Sequence, residues 1–180
     1  MSETDLKVPE NITFENAIAL SQDLIIKLEN EAINATQLQS LIKDLVATSN
    51  GARGFFVSYL TANSPVADQP SKAILEGLKS APEIVSELLV KNIAMSTAMA
   101  ITHRRQDHES MAQGSDRVQQ RSIHLSQQLN NKLLQEKAQQ MRESALTGKG
   151  EAEVAFFQRW GYDQEQRSAI AQTLASVLKN

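Results

Sequence analysis

Cysteine is missing from all 180 residues, which excludes disulfides, thiolate nucleophiles and zinc–thiolate sites. Proline is scarce: there are four, and none follows Pro82. Glycine is almost as sparse, and between Pro82 and Leu146 only Gly114 occurs. Aromatic residues make up 4% of the chain, with none between Leu60 and Ala155, so most of any core must be aliphatic. No charge of one sign dominates. The net charge of -3 imposes neither nucleic acid nor acidic lipid as a partner. Long apolar runs are also missing. The most apolar stretch, Ile93 to Ile101, is short for a bilayer and carries Ser96 and Thr97. The first residues, Met1 to Asp5, are acidic and lack the basic-then-apolar pattern of a secretory signal. A cytoplasmic protein with no membrane contact is expected.

What remains is helical pattern. Residues 1–12 read as a flexible tail, and 13–180 as a single helical domain. Thr13 can cap a first helix whose apolar side is Phe14, Ala17, Ile18, Leu24, Ile25 and Leu28. Thr36 and Gln39 have capping-box spacing before a second stripe, Leu38 to Val46, with Gly51 placed as its C-terminal cap. Arg53 to Thr61 is rich in aromatic and β-branched residues, but no second strand exists to pair with it, so it too reads as helix. A loop at Asn63–Gln69 and a short helix at Ser71–Leu78 follow. Ser80, Pro82 and Glu83 then form a strong start signal.

The helix beginning there is apolar nearly all round, as the centre of a bundle requires. Past Thr102 the chain becomes polar, with nine glutamines between Ile101 and Ala145. Met111, Val118, Leu125, Leu129 and Leu133 make one narrow stripe; Ile123, Leu134, Ala138, Met141 and Ala145 make another. Two stripes need two sets of neighbours, which a homodimer could supply. The fold class is therefore all-α: a bundle of about seven helices with a long central pair, roughly 82–113 and 115–147, which either runs on as one helix or folds back at Gly114.

No catalytic signature accompanies this pattern. Glu-x-x-His, His-Glu-x-x-His and Gly-x-Ser-x-Gly do not occur. Gly148-Lys149-Gly150 lacks the Ser or Thr of a phosphate loop, and Ser40-Leu-Ile-Lys43 is a pattern that helices produce by chance. His103 and Asp107 would share a helix face, but two donors do not hold a metal, and His108 points elsewhere. No catalytic residue, metal or cofactor is assigned.

Two surfaces remain. One is a basic ridge, with Arg117, Arg121 and His124 at i, i+4 and i+7, and Lys132 and Arg142 projecting to the same side. It could bind phosphates or an acidic partner, but no aromatics interleave with it. The other carries Phe55, Tyr59 and Trp160 with Arg53 and Arg159, beside the 63–69 loop. Aromatic and arginine side chains concentrate binding energy. The function expected is a non-enzymatic protein–protein interaction protein: an adaptor, regulator or assembly factor with a protein partner. The alternatives are a nucleic-acid or phosphate-binding module using the ridge, and a helical small-molecule sensor or enzyme with its pocket near Met95 and Met99.

Overall fold

A computed structural model describes residues 5–178. Those residues form nine α-helices and two 3₁₀ turns, with no strand. The all-α class is therefore as the periodicity indicates, with two more helices than the apolar stripes suggest. The chain divides into two compact units, residues 1–85 and 86–180.

The first unit holds α1 (Phe14–Glu29), α2 (Ala35–Val46), α3 (Ser49–Thr61), a 3₁₀ turn at Pro65–Ala67 and α4 (Lys72–Leu78). Of the expected tail, residues 1–4 lie outside the described residues. Residues 5–12 are non-helical, and Ile12 is buried. Thr13 caps α1 through its hydroxyl, which accepts from the Asn16 N–H at 3.1 Å. The capping box of α2 sits two residues earlier than the Thr36–Gln39 spacing suggests. Asn34 Oδ1 accepts from Gln37 N–H at 2.8 Å, and Gln37 Oε1 accepts from Asn34 N–H at 3.2 Å. Gly51 does not end α2. Thr48 caps a new helix there, and Gly51 lies in the first turn of α3.

Arg53 to Thr61 is helix, as the lack of a pairing strand requires. α1 packs on α3, and α2 packs on both α3 and α4. Two glycines permit these approaches. A Cβ on Gly54 would lie 2.4 Å from Ala17 Cβ, and one on Gly77 would lie 2.6 Å from Ile42 Cβ. Leu24, Ile42, Leu45, Phe55, Phe56 and Leu78 are fully buried.

α5 (Pro82–Arg105) starts at the proline, as its start signal indicates, and from Ser86 on it belongs to the second unit. Ser80 is not part of that start: its hydroxyl donates to the Gly77 carbonyl at the end of α4. α5 as a whole is long and apolar enough to cross a bilayer, although the run from Ile93 to Ile101 alone is not. More than half of that apolar stretch is buried inside the protein, the position of a core helix.

The second unit continues with α6 (Glu109–Leu129), α7 (Lys132–Thr147), α8 (Glu151–Trp160), α9 (Gln164–Leu174) and a 3₁₀ turn at Ala175–Val177. The long pair expected over 82–147 is three helices, and Gly114 is not the hinge. It sits within α6 in open space. The first break is at Gln106–His108, where Asp107 takes φ 59°. The second is at Asn130, which takes the left-handed conformation (φ 46°, ψ 47°) and caps α6. Asn131 then caps α7 by accepting from Leu134 N–H at 2.7 Å. Asparagine tolerates left-handed geometry and caps helices well, so this pair both stops and restarts the chain.

Glutamines assemble this unit. Gln119 donates to Thr97 at 2.8 Å and to Thr173 at 3.3 Å. Buried Gln166 donates to the Ala98 carbonyl at 3.1 Å and Thr102 Oγ1 at 2.9 Å. The polar character of this stretch is therefore partly internal wiring. The two apolar stripes are also largely covered within one chain: Leu125, Leu129, Leu134, Ala138 and Met141 are buried.

Candidate functional site

In the first unit, α3 presents opposite faces through its 3.6-residue period. Phe55 and Tyr59, one turn apart, stack with ring centroids 5.2 Å apart and planes at 18°. Phe56 packs against Phe55 at 5.4 Å. Phe55 is 1% exposed and Tyr59 0%, which corrects the expectation that they offer a contact surface. The Tyr59 hydroxyl donates to the Val66 carbonyl at 3.0 Å and so pins the 63–69 loop. A phenol buried at a helix surface needs such an acceptor. Arg53, by contrast, is exposed, its guanidinium 4.6 Å above the Phe14 ring centroid.

In the second unit, α8 ends at Gly161, whose φ of 66° is readily adopted by glycine. Phe157 faces inward, and Phe156 meets Phe157 and the edge of Tyr162. Burial pushes the Tyr162 phenol up to about 12, so it stays protonated at neutral pH. Trp160 occupies the last position of the helix and is 48% exposed. The Arg159 guanidinium lies 5.5 Å from its ring centroid, within cation–π range. Of the aromatic side chains proposed from sequence for contact, Trp160 alone is exposed.

The basic ridge is not continuous. Arg117, Arg121 and His124 lie on α6, and Lys132 and Arg142 on α7, with the Asn130–Asn131 break between them. Arg121 is 6% exposed, and both it and Arg117 have partners within the protein. His124 is half-buried. Lys132 is open to solvent, 3.7 Å from Glu136. Arg142 is half-buried, and its Nε is buried without a hydrogen-bond partner.

Two arginines that sequence reasoning left aside hold the end of α5. Arg104 pairs with Asp116 at 2.6 Å and Glu109 at 3.2 Å; Arg105 pairs with Asp163 at 2.7 Å and Glu165 at 3.0 Å. These carboxylates hold both guanidinium pKa values above the ordinary range. The partners of Arg105 are 58 and 60 residues away, a separation that carries no local signal.

Among the described residues no group of three or more His, Cys, Asp or Glu converges on a metal position. His103 and Asp107 do not share a helix face, because α5 ends at Arg105. Concave surfaces exist in both units. A cleft of about 580 Å³ in the first lies between residues 5–8 and α2, with Lys7, Lys27, Ile33 and Asp44 among its walls. In the second, a pocket of about 230 Å³ is lined by Val90, Lys137, Met141 and Phe156. A wider groove of about 660 Å³ follows α7. Met95 is half-buried and Met99 exposed, and neither lines these cavities.

The family described as "Uncharacterised conserved protein UCP020893" matches residues 13–177, and the chain belongs to that family. No curated protein and no solved structure matches the chain.

Proposed function

We propose that this chain, as a member of that conserved family, is a non-enzymatic interaction protein: an adaptor, regulator or assembly factor that docks a protein partner through the end of α8. The observation that carries the reading is Trp160, 48% exposed beside Arg159 at the last position of a glycine-capped helix. A rigidly presented indole offers large apolar area at low entropic cost, and Trp and Arg are the residues in which interface energy concentrates. The phosphate-binding reading has less support. The ridge is split over two helices, and Arg121 is buried.

The test is affinity capture from native extract with wild type and Trp160→Ala, alongside melting of both. Loss of specific partners with melting nearly unchanged supports the α8 surface. Retention of every partner by the variant rejects it.

Homodimerisation is a second reading, supported by Met111 at 53% exposure, the open end of one apolar stripe, and by Leu146 at 57%, next to the end of the other. Light scattering after size exclusion tests it: a 19.9 kDa monomer at tens of micromolar removes the dimer.

A further inference from the structure

The corner between α8 and α9, next to Trp160, is tied to α5 in two ways. Inside, Gln166 is buried and serves two helices at once. Its Oε1 accepts from the Asp163 N–H at 3.0 Å, which completes the capping box of α9. Its Nε2 donates to the Ala98 carbonyl and to Thr102 Oγ1 on α5. Outside, the Arg105 guanidinium reaches Asp163 with one terminal nitrogen and Glu165 with the other. Asp163 is shared by both ties: its Oδ1 accepts from the Gln166 N–H, and its Oδ2 pairs with Arg105.

From Asp163 the restraint runs back to the indole through a short stretch of bonded backbone. The Tyr162 N–H donates to the Phe157 carbonyl at 3.0 Å, and the Gly161 N–H to the Gln158 carbonyl at 3.1 Å. Arg167 Nη1 donates to the Tyr162 carbonyl at 2.9 Å. The two ties differ in kind. Gln166 is buried, so losing it would leave polar groups of the core unpaired. The Arg105 side chain is 43% exposed, and those of Asp163 and Glu165 are 49% and 70% exposed. Ion pairs so open to water add little to stability, yet a planar guanidinium across two carboxylates fixes direction.

We infer that Arg105 is a positioning residue for Trp160: its fork over Asp163 and Glu165 sets how rigidly the indole is presented. Releasing the fork turns the α8 surface from ordered to loose, while the buried Gln166 tie keeps the fold. The consequence for docking rests on the reading of Trp160 as the contact residue; the geometry does not. Arg104 supplies the control. It is engaged by two carboxylates as well, but by Glu109 and Asp116 of α6 rather than by the α8–α9 corner.

Trp160 is the single tryptophan, so intrinsic fluorescence of the full chain reports this corner alone. Nanosecond anisotropy decay and acrylamide quenching are measured on wild type, Arg105→Gln, Arg105→Lys and Arg104→Gln, with melting of each. Arg105→Gln should lose much of the slow component of the decay and quench more readily, while melting close to wild type. Arg105→Lys, which can reach one carboxylate but cannot fork, should fall between the two. Arg104→Gln should match wild type. Should Arg105→Gln not fold, Glu165→Gln is read instead, and a partial loss of the slow component is expected. Capture from native extract joins the fork to docking: partners that Trp160→Ala loses should be reduced severalfold by Arg105→Gln and kept by Arg104→Gln. If Trp160→Ala keeps every partner, the docking reading fails, and the fluorescence alone decides the fork. The inference is overturned by unchanged decay and quenching in whichever variant is read, by an equal change in Arg104→Gln, or by full retention of the Trp160-dependent partners.

Discussion

At the scale of single residues, space decides more than residue type. Gly54 and Gly114 are both helical glycines, yet opposite outcomes are expected on adding a methyl group. At Gly54 the new Cβ would lie 2.4 Å from Ala17 Cβ and 2.9 Å from backbone atoms of Ala17 and Ile18. Backbone cannot rotate out of the way, so Gly54→Ala should destabilise by ~2 kcal/mol or more. At Gly114 a Cβ meets nothing within 4 Å, and Gly114→Ala should gain ~0.5–1 kcal/mol from helix propensity. Chemical denaturation of the two variants against wild type checks both signs. Trp160 obeys the same logic of environment. As a half-exposed residue it should cost only ~1 kcal/mol on truncation, well below the ~3–5 kcal/mol of a buried tryptophan. A larger loss in melting experiments would make it a structural residue.

At the scale of elements, the ends of helices carry the polar chemistry. Asn131 Oδ1 accepts from the Leu134 N–H at 2.7 Å and from the Ser86 hydroxyl at 3.3 Å, so it caps α7 and ties it to α5. Asn131→Ala should cost ~1–2 kcal/mol, measured by denaturant midpoint with an unchanged slope. Asp163 caps α9 by accepting from the Gln166 N–H at 3.0 Å and also pairs with Arg105. Arg105, and then that N–H, hold its carboxyl below the usual 3.8. Because the folded value is the lower one, its contribution is complete above the unfolded value. It drains away as pH falls through the folded value. Asp163→Asn keeps a cap acceptor but loses the ion pair and the titration. Wild type should melt higher than the variant at neutral pH, and the gap should close on acidification. A gap that persists at low pH would assign the effect to the cap alone.

At the scale of the whole molecule, the charge ledger is a guide to association. Residues 1–100 carry twelve acids and seven bases, and residues 101–149 five and eight. Much of that basic excess is already spoken for: Arg104 and Arg105 are paired, and Arg117 and Arg121 have partners. A partner held mainly by Trp160 should therefore stay bound as salt is raised several-fold, since exposed charges govern association rate and salt dependence more than affinity. Capture repeated at low and high ionic strength measures this. Elution by salt would return weight to the basic residues.

The sequence by itself determined the all-α class, the α1 cap at Thr13, and the α4 and α5 starts. These are local facts: period, caps and turn residues act within a few positions of one another, so a reader of the chain sees all the parts. The same reading missed the Asn130–Asn131 break because asparagine permits a left-handed turn without requiring one, whereas glycine at 114 merely permits flexibility. Tertiary structure alone decided which members of a good motif face water. Phe55, Tyr59 and Trp160 are equally apt for contact by type, and only packing buried the first two and left the third open. It likewise decided which arginines are engaged and which nitrogen lacks a partner. Burial and pairing depend on what other segments bring to a position, and partners such as Asp163 for Arg105 arrive from 58 residues away.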